Sequence, residues 1–296
     1  MRRTQHEVRT EDGRLLLAEE AGPEQGCPVL LHHGTPGSRY LYEEMIEEGA
    51  ERGLRHITYS RPGYEGSDRH AGRRVVDCAP DLRAIVDQLG LERGFVVGES
   101  GGGPHALAQA ASLRDWVRGV AVIVGPAPFE AEGLDWLAGM ARENREELDA
   151  MLAGEAAGLA FLEAKLEEIR AVENLPQLYE VLGDLLTDAD RRSLEREGLD
   201  AYLMLVWERI AAGGPWGWFD DAKAFLQNWG FDLGEVEAPV AVWHGVEDRT
   251  VSIAHGRWVA DHLPNARFHP LDGEGHSSSL DHYGEILDDL IASSGT

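Results

Sequence analysis

The stretch Phe95-Val96-Val97-Gly98-Glu99-Ser100-Gly101-Gly102-Gly103-Pro104 decides the architecture. Its apolar, β-favouring start predicts a short buried strand, and from Gly101 the chain turns directly into a helical pattern, Pro104 to Ser112. A serine between strand and helix sits on a tight, strained turn, and Gly98 and Gly102 carry no side chain to hold neighbouring backbone away. The helix that follows aims its first N–H groups and the positive end of its dipole at that serine. Such a turn exposes a nucleophilic hydroxyl or cradles a phosphate. The second use needs a P-loop lysine or a complete dinucleotide fingerprint, and neither is present.

Outward from this turn, short β-rich runs alternate with amphipathic stretches, the pattern of a mostly parallel sheet crossed by helices. On the amino-terminal side, Arg14 to Glu20 follows an Asp12-Gly13 turn and predicts an opening hairpin. Val29-Leu30-Leu31-His32 predicts a strand, with Ser38 as N-cap of a helix through Tyr42, Met45 and Ile46. Leu54 to Tyr59 is the next strand, and Leu82, Ile85, Val86 and Leu89 space a helix from about Asp81. Beyond the turn, Val117 to Val124 predicts another strand. Between about Pro126 and Trp229 the β-branched runs vanish, and three apolar stripes at helical spacing take over: Leu134, Leu137, Met140 and Ala141; Leu159, Leu162, Leu166 and Ile169; Leu178, Val181, Leu182 and Leu185. Strands return at Val240 to Trp243 and Ala266 to Leu271, with a helix from Ser252 to His262 between them and another ending near Ile291. The expected organisation is one α/β core, residues 1–125 and 230–296, carrying a helical cap or lid at 126–229.

A serine hydroxyl needs a base, and imidazole is suited to that near neutral pH. Of twelve histidines, His276 stands out because Gly273-Glu274-Gly275-His276-Ser277-Ser278 follows the last strand and can carry the ring over the carboxyl edge of the sheet. His244, His255, His262, His269 and His282 fall in strand or helix patterns. The imidazole in turn calls for a carboxylate at the same edge. Asp248, just past the strand Val240 to Trp243, emerges there; Glu247 is its nearest rival, and Asp220 and Asp221 are remoter ones. A tetrahedral intermediate also needs two N–H donors, for which Gly101 and Thr35, in His33-Gly34-Thr35-Pro36, are the candidates.

Together, His33-Gly34-Thr35-Pro36-Gly37, Arg61-Pro62-Gly63-Tyr64-Glu65-Gly66-Ser67, Gly98-Glu99-Ser100-Gly101-Gly102-Gly103-Pro104, Gly245 through Val251 and Gly275-His276 resemble the serine-nucleophile α/β-hydrolases with a helical cap. The resemblance is to the branch of small bacterial esterases and proline-iminopeptidase-like hydrolases, in which serine, acid and histidine follow in that chain order. It departs at Ser60, where an aspartate often precedes the Arg-Pro-Gly loop, and at Glu65, where the family often has glycine. The resemblance implies an acyl-enzyme route with no metal or organic cofactor, and a loop-fixing role for His32 and His33. Three functions are compatible with it. The first is hydrolysis of an ester or lactone, with Trp136, Trp207, Trp216 and Trp218 supplying either lid core or pocket wall. The second is removal of an N-terminal residue, with Glu143, Glu146 or Glu147 holding the amine. The third is a ligand receptor that turns over very slowly.

Composition narrows the partners. Fifty-three acidic against twenty-seven basic residues leave a net charge of −26, and Lys165 and Lys223 are the only lysines. Nucleic acid, which demands a basic face, is an unlikely partner on these grounds, and a small molecule is the expected substrate. No apolar run approaches the ~20 residues of a membrane span, so a cytoplasmic location is expected. Cys27 and Cys78 are too few for a disulfide framework. Oligomeric state leaves no mark on the sequence.

Overall fold

Along the central strands the side chains alternate between two apolar faces, which is what a sheet covered by helices on both sides requires. In the computed structural model, which describes residues 2–196, 198–293 and 295, eight strands form one sheet. They are β1 (Arg3–Arg9), β2 (Leu15–Ala21), β3 (Cys27–His32), β4 (Leu54–Tyr59), β5 (Gly94–Glu99), β6 (Val117–Ile123), β7 (Val240–Gly245) and β8 (Ala266–Leu271), in the order β1-β2-β4-β3-β5-β6-β7-β8. The hairpin β1–β2 is antiparallel, as is β2 on β4. From β4 to β8 every pairing is parallel.

On β6, Val120 and Val122 face one core with Leu82 and Ile85 of helix α2 (Ala79–Gln88) and Leu107 of α3 (Gly102–Ser112); α1 is Glu43–Glu51. Ala121 and Ile123 face the opposite core, with Ile46 of α1 and Ile286, Leu287 and Leu290 of the last helix. Because β3, β5, β6 and β7 run parallel, their carboxyl ends open at one edge, where ligands of open α/β sheets bind.

Six helices lie between β6 and β7 among the described residues: α4 (Arg142–Leu152), α5 (Glu155–Arg170), α6 (Leu175–Leu182), α7 (Asp188–Leu194), α8 (Leu199–Gly213) and α9 (Trp216–Phe225). They bury an apolar cluster of their own, centred on Met151, Leu162, Leu166, Ile210 and Phe219. After β7 come α10 (Ile253–His262), β8 and α11 (Tyr283–Ser293).

Two local expectations are corrected. Ser38 does not cap a helix: α1 starts at Glu43, behind Tyr42. The Ser38 hydroxyl is drawn away to the Glu65 carboxylate at 2.8 Å while it accepts from the Tyr40 N–H at 3.1 Å. The stripe Leu134, Leu137, Met140 and Ala141 is a run of turns rather than a helix. Gly133 and Gly139 hold φ of +80° and +84°, left-handed values that interrupt helical hydrogen bonding.

Candidate active site

Ser100 closes β5 in a left-handed backbone conformation, φ +50°, which costs a non-glycine residue roughly 1–2 kcal/mol and is held by its surroundings. Its N–H is pinned to the Ile123 carbonyl of β6 at 2.8 Å, and its own carbonyl accepts from Gly103 N–H at 2.9 Å. The turn is possible because its flanks are glycines. A Cβ on Gly98 would collide with the Gly102 carbonyl and lie 2.7 Å from Ala106 Cβ, and one on Gly102 would collide with the His32 carbonyl. The side chain of Ser100 opens into a cavity of about 350 Å³ that His276 and Glu99 also line. Among the described residues the Ser100 hydroxyl has no hydrogen-bond partner.

The loop after β8 brings His276 to the same edge. Its Nδ1 lies 2.7 Å from Asp248 Oδ2. A carboxylate only accepts, so Nδ1 carries the proton and Nε2 is left with a lone pair. Asp248 is almost wholly buried just beyond β7, its Oδ1 taking the N–H groups of Thr250 and Val251 at 2.8 and 2.9 Å. Beneath it, His244 Nε2 lies 3.3 Å from Oδ2. Burial by itself would raise the Asp248 pKa, but the charge of His276 and the hydrogen bonds from His244 and His276 overcome it and hold the carboxyl below its usual range. Burial likewise pulls His276 down, yet the charge and hydrogen bond of Asp248, with the charges of Glu99 and Asp190, leave it raised overall. Glu247 is exposed and Asp220 is held by Arg69 at 2.7 Å, and among the described residues neither hydrogen-bonds to this imidazole.

Thr35 and Gly101 are neighbours: a Cβ on Gly101 would lie 2.7 Å from Thr35 Cβ, and one on Gly34 would lie 3.5 Å from Ser100 Cβ. Neither N–H has a hydrogen-bond partner among the described residues. The loop carrying Thr35 rests on a buried ionic hub that sequence reading missed. Arg61 donates to the carbonyls of His33 and Gly34, at 2.5 and 2.8 Å, and to Thr35 Oγ1 at 2.9 Å. Asp221, weighed above as a remote acid, accepts from Arg61 at 2.6 Å, Arg73 at 2.6 Å, Tyr64 at 2.9 Å and Thr35 Oγ1 at 2.8 Å. Burial disfavours its charge, but the two guanidiniums hold its pKa well below the usual range. His33 Nδ1 donates to the Gly34 carbonyl at 2.7 Å, and His32 Nε2 donates to Gln109 Oε1 at 3.0 Å; both are pushed well down by burial and stay neutral braces of the loop.

A second missed contact joins the insertion to the histidine loop. Asp190 of α7 accepts the N–H groups of Ser277 and Ser278 through Oδ1, at 2.7 and 3.0 Å, while its Oδ2 takes the Thr187 hydroxyl at 2.8 Å. Within the insertion, Trp207 and Trp218 line the large cavity, Trp136 a smaller one, and Trp216 stacks on Arg69 with the guanidinium 3.6 Å from the ring centre. Glu143 and Glu147 line the large cavity, whereas Glu146 is exposed.

Residues 28–283 match the α/β-hydrolase-fold family. This chain belongs to that family. An AB hydrolase superfamily protein of Bacillus subtilis (strain 168) is 33% identical over 297 residues, covering 97% of each chain. A 2-hydroxy-6-oxononadienedioate/2-hydroxy-6-oxononatrienedioate hydrolase of Paraburkholderia phymatum is 28% identical over 279 residues, 89% of this chain and 86% of that one. Among solved structures, an esterase from Rhodococcus sp. ECU1013 superposes with a TM-score of 0.71 at 18% identity, covering 98% of this α/β-hydrolase and 99% of the esterase. No helix among the described residues is long and apolar enough to cross a membrane.

Proposed function

We propose that this α/β-hydrolase cleaves a small-molecule carboxylic ester or lactone through an acyl-enzyme on Ser100, with His276 as base, Asp248 as its orienting acid and residues 126–229 as a cap over the site. The observation that carries the reading is a buried, ionised carboxylate 2.7 Å from an imidazole that lines the same cavity as a serine held in a left-handed turn. The hydrolase name borne by a relative supports hydrolysis as the reaction type.

Ser100 Oγ bonds to the carbonyl carbon as its proton passes to His276 Nε2, through a hydrogen bond that forms when substrate is bound. The oxyanion takes the N–H groups of Thr35 and Gly101, each worth about 3 kcal/mol in the transition state. Collapse breaks the carbon–oxygen bond to the alcohol, which leaves with the proton from His276. Water then attacks the acyl-enzyme, His276 takes one of its protons and returns it to Ser100 Oγ, and the carboxylic acid departs.

A panel of p-nitrophenyl esters and aminoacyl-nitroanilides, run on the wild type and on Ser100→Ala, tests the assignment. Ester turnover is expected to fall by about 10⁴-fold or more in the variant, and an undiminished rate rejects the mechanism. A second reading, removal of an N-terminal residue, is favoured by Glu143, whose buried Oε2 has no hydrogen-bond partner in the wall of the large cavity. Faster cleavage of the nitroanilides than of the esters would establish it instead.

A further inference from the structure

We infer that the substrate is divided between two cavities that meet at Ser100, with a short acyl group in a small apolar pocket and a larger alcohol portion in the main cavity. The inference rests on the ester-hydrolase reading and narrows its substrate class. Beside the cavity of about 350 Å³ there is a second of about 120 Å³, and Ser100 and Thr35 border both. His276 lines the large one, whereas Gly101 lines the small one.

This asymmetry assigns the two halves of an ester. The alcohol oxygen receives its proton from His276, so the alcohol must leave on the side of that ring, into the large cavity. Once Oγ, the oxyanion and the alcohol have taken their directions at the tetrahedral carbon, the acyl chain is the remaining substituent. The small pocket, which Gly101 lines and His276 does not, is assigned to that substituent. Its wall is apolar, with Met140, Leu148, Met151, Phe225 and Leu226 prominent. An apolar cavity of about 150 Å³ accommodates benzene, so this one suits an acyl chain of about four carbons and is overfilled by eight.

The partition between the cavities is built rather than incidental. Asn144, Glu147 and Thr250 line both. Asn144 Nδ2 donates to the Thr250 carbonyl at 2.6 Å, tying α4 to the loop of Asp248, and Glu147 Oε1 accepts from Trp218 Nε1 at 3.0 Å. These bonds hold the shared wall of the two cavities on the side away from Thr35.

Two series of esters test the division. With p-nitrophenol fixed as leaving group, kcat/KM is expected to hold from acetate to butyrate and to fall about tenfold or more by octanoate, the cost of overfilling a packed site. With acetate fixed, the 2-naphthyl ester is expected to match or exceed the phenyl ester and the cyclohexyl ester the ethyl ester, comparisons in which the leaving groups have similar basicity. Leu148→Ala should raise the octanoate-to-acetate ratio at least about fivefold. Val206→Trp, on the wall of the large cavity, should lower the naphthyl-to-phenyl ratio and leave the acyl ratio unmoved. Ratios are read because partial loss of folded protein does not alter them. Octanoate turned over as well as butyrate, or Leu148→Ala moving the alcohol ratio instead, overturns the division while the hydrolase reading stands. No turnover of any ester overturns both.

Discussion

His276 takes its chemistry from the residues around it. Asp248 fixes the proton on Nδ1 and leaves Nε2 free to act as base, and Asp248→Asn would reverse that tautomer. The expected loss in kcat is about 10⁴-fold, against little change for the exposed Glu247→Gln; equal losses would show that Asp248 does not orient the base. The raised pKa of His276 has a direct kinetic consequence. A base must be neutral, so activity falls as pH drops through a midpoint above the ordinary value of an imidazole. Glu99 lines the same cavity and contributes to that elevation. Glu99→Gln should therefore move the acid midpoint of kcat/KM downwards, and a pH-rate profile that stays in place would remove Glu99 from the electrostatics of the base. Of Glu247 and Asp248, only Asp248 is buried and hydrogen-bonded to the imidazole, since two adjacent residues past a strand end point in different directions.

The elements matter because they carry these groups on loops that need external support. The loop after β8 is held by Asp190 of α7, which accepts two of its backbone N–H groups. Loss of that anchor lets the imidazole drift, and a displacement of about 1 Å at a reacting group costs roughly 10²-fold in rate. Asp190→Ala is expected to lower kcat by that order with a smaller effect on KM. Asp190→Asn, which keeps an acceptor oxygen, should recover part of the rate. Equal kcat for wild type and Asp190→Ala would show that the loop stands without the insertion. Strands β3 to β7 and helices α2, α3, α5 and α10 were legible in the sequence because their periodicity is strong and local. The turns at 130–141 were not, since two glycines broke a helical spacing that apolar positions alone suggested. Asp190 carried no signal: its only sequence context is Thr187 three residues earlier, which marks a capping box and says nothing about Ser277, far along the chain.

For the molecule as a whole, the excess of negative charge and one buried acid act in the same direction on stability. Glu147, enclosed by the insertion although it borders the cavity, is pushed by burial up to about 7 from the ordinary glutamate value of 4.5, against the hydrogen bond from Trp218. Between those values the folded state binds the proton and the unfolded chain does not, so stability rises as pH falls through that window. Relief of the self-repulsion implied by a net charge of −26 adds to the trend. Buried neutral histidines such as His32, His33 and His56, whose pKa values burial depresses, act the other way as pH falls, so the Glu147 contribution is read as a difference: the Tm of Glu147→Gln relative to wild type is expected to rise between about pH 6 and about pH 8. A difference between wild type and Glu147→Gln that stays constant over this range would contradict the Glu147 contribution.

The sequence by itself determined the α/β-hydrolase fold, the helical insertion and the serine turn, because strand periodicity, glycine-flanked turns and chain order are written in neighbouring residues. It also brought forward Ser100, Asp248, His276, Thr35 and Gly101 as the groups to examine. Only the tertiary structure decided that Arg61, Arg73 and Asp221 brace the Thr35 loop from below, that α7 holds the histidine loop, and that two cavities of unequal size flank Ser100. The first depends on side chains more than a hundred residues apart coming within 3 Å of one another, and the second on Asp190 reaching backbone N–H groups nearly ninety residues further along. Packing chooses such pairs from a strongly acidic chain in which any one aspartate, read alone, looks like every other.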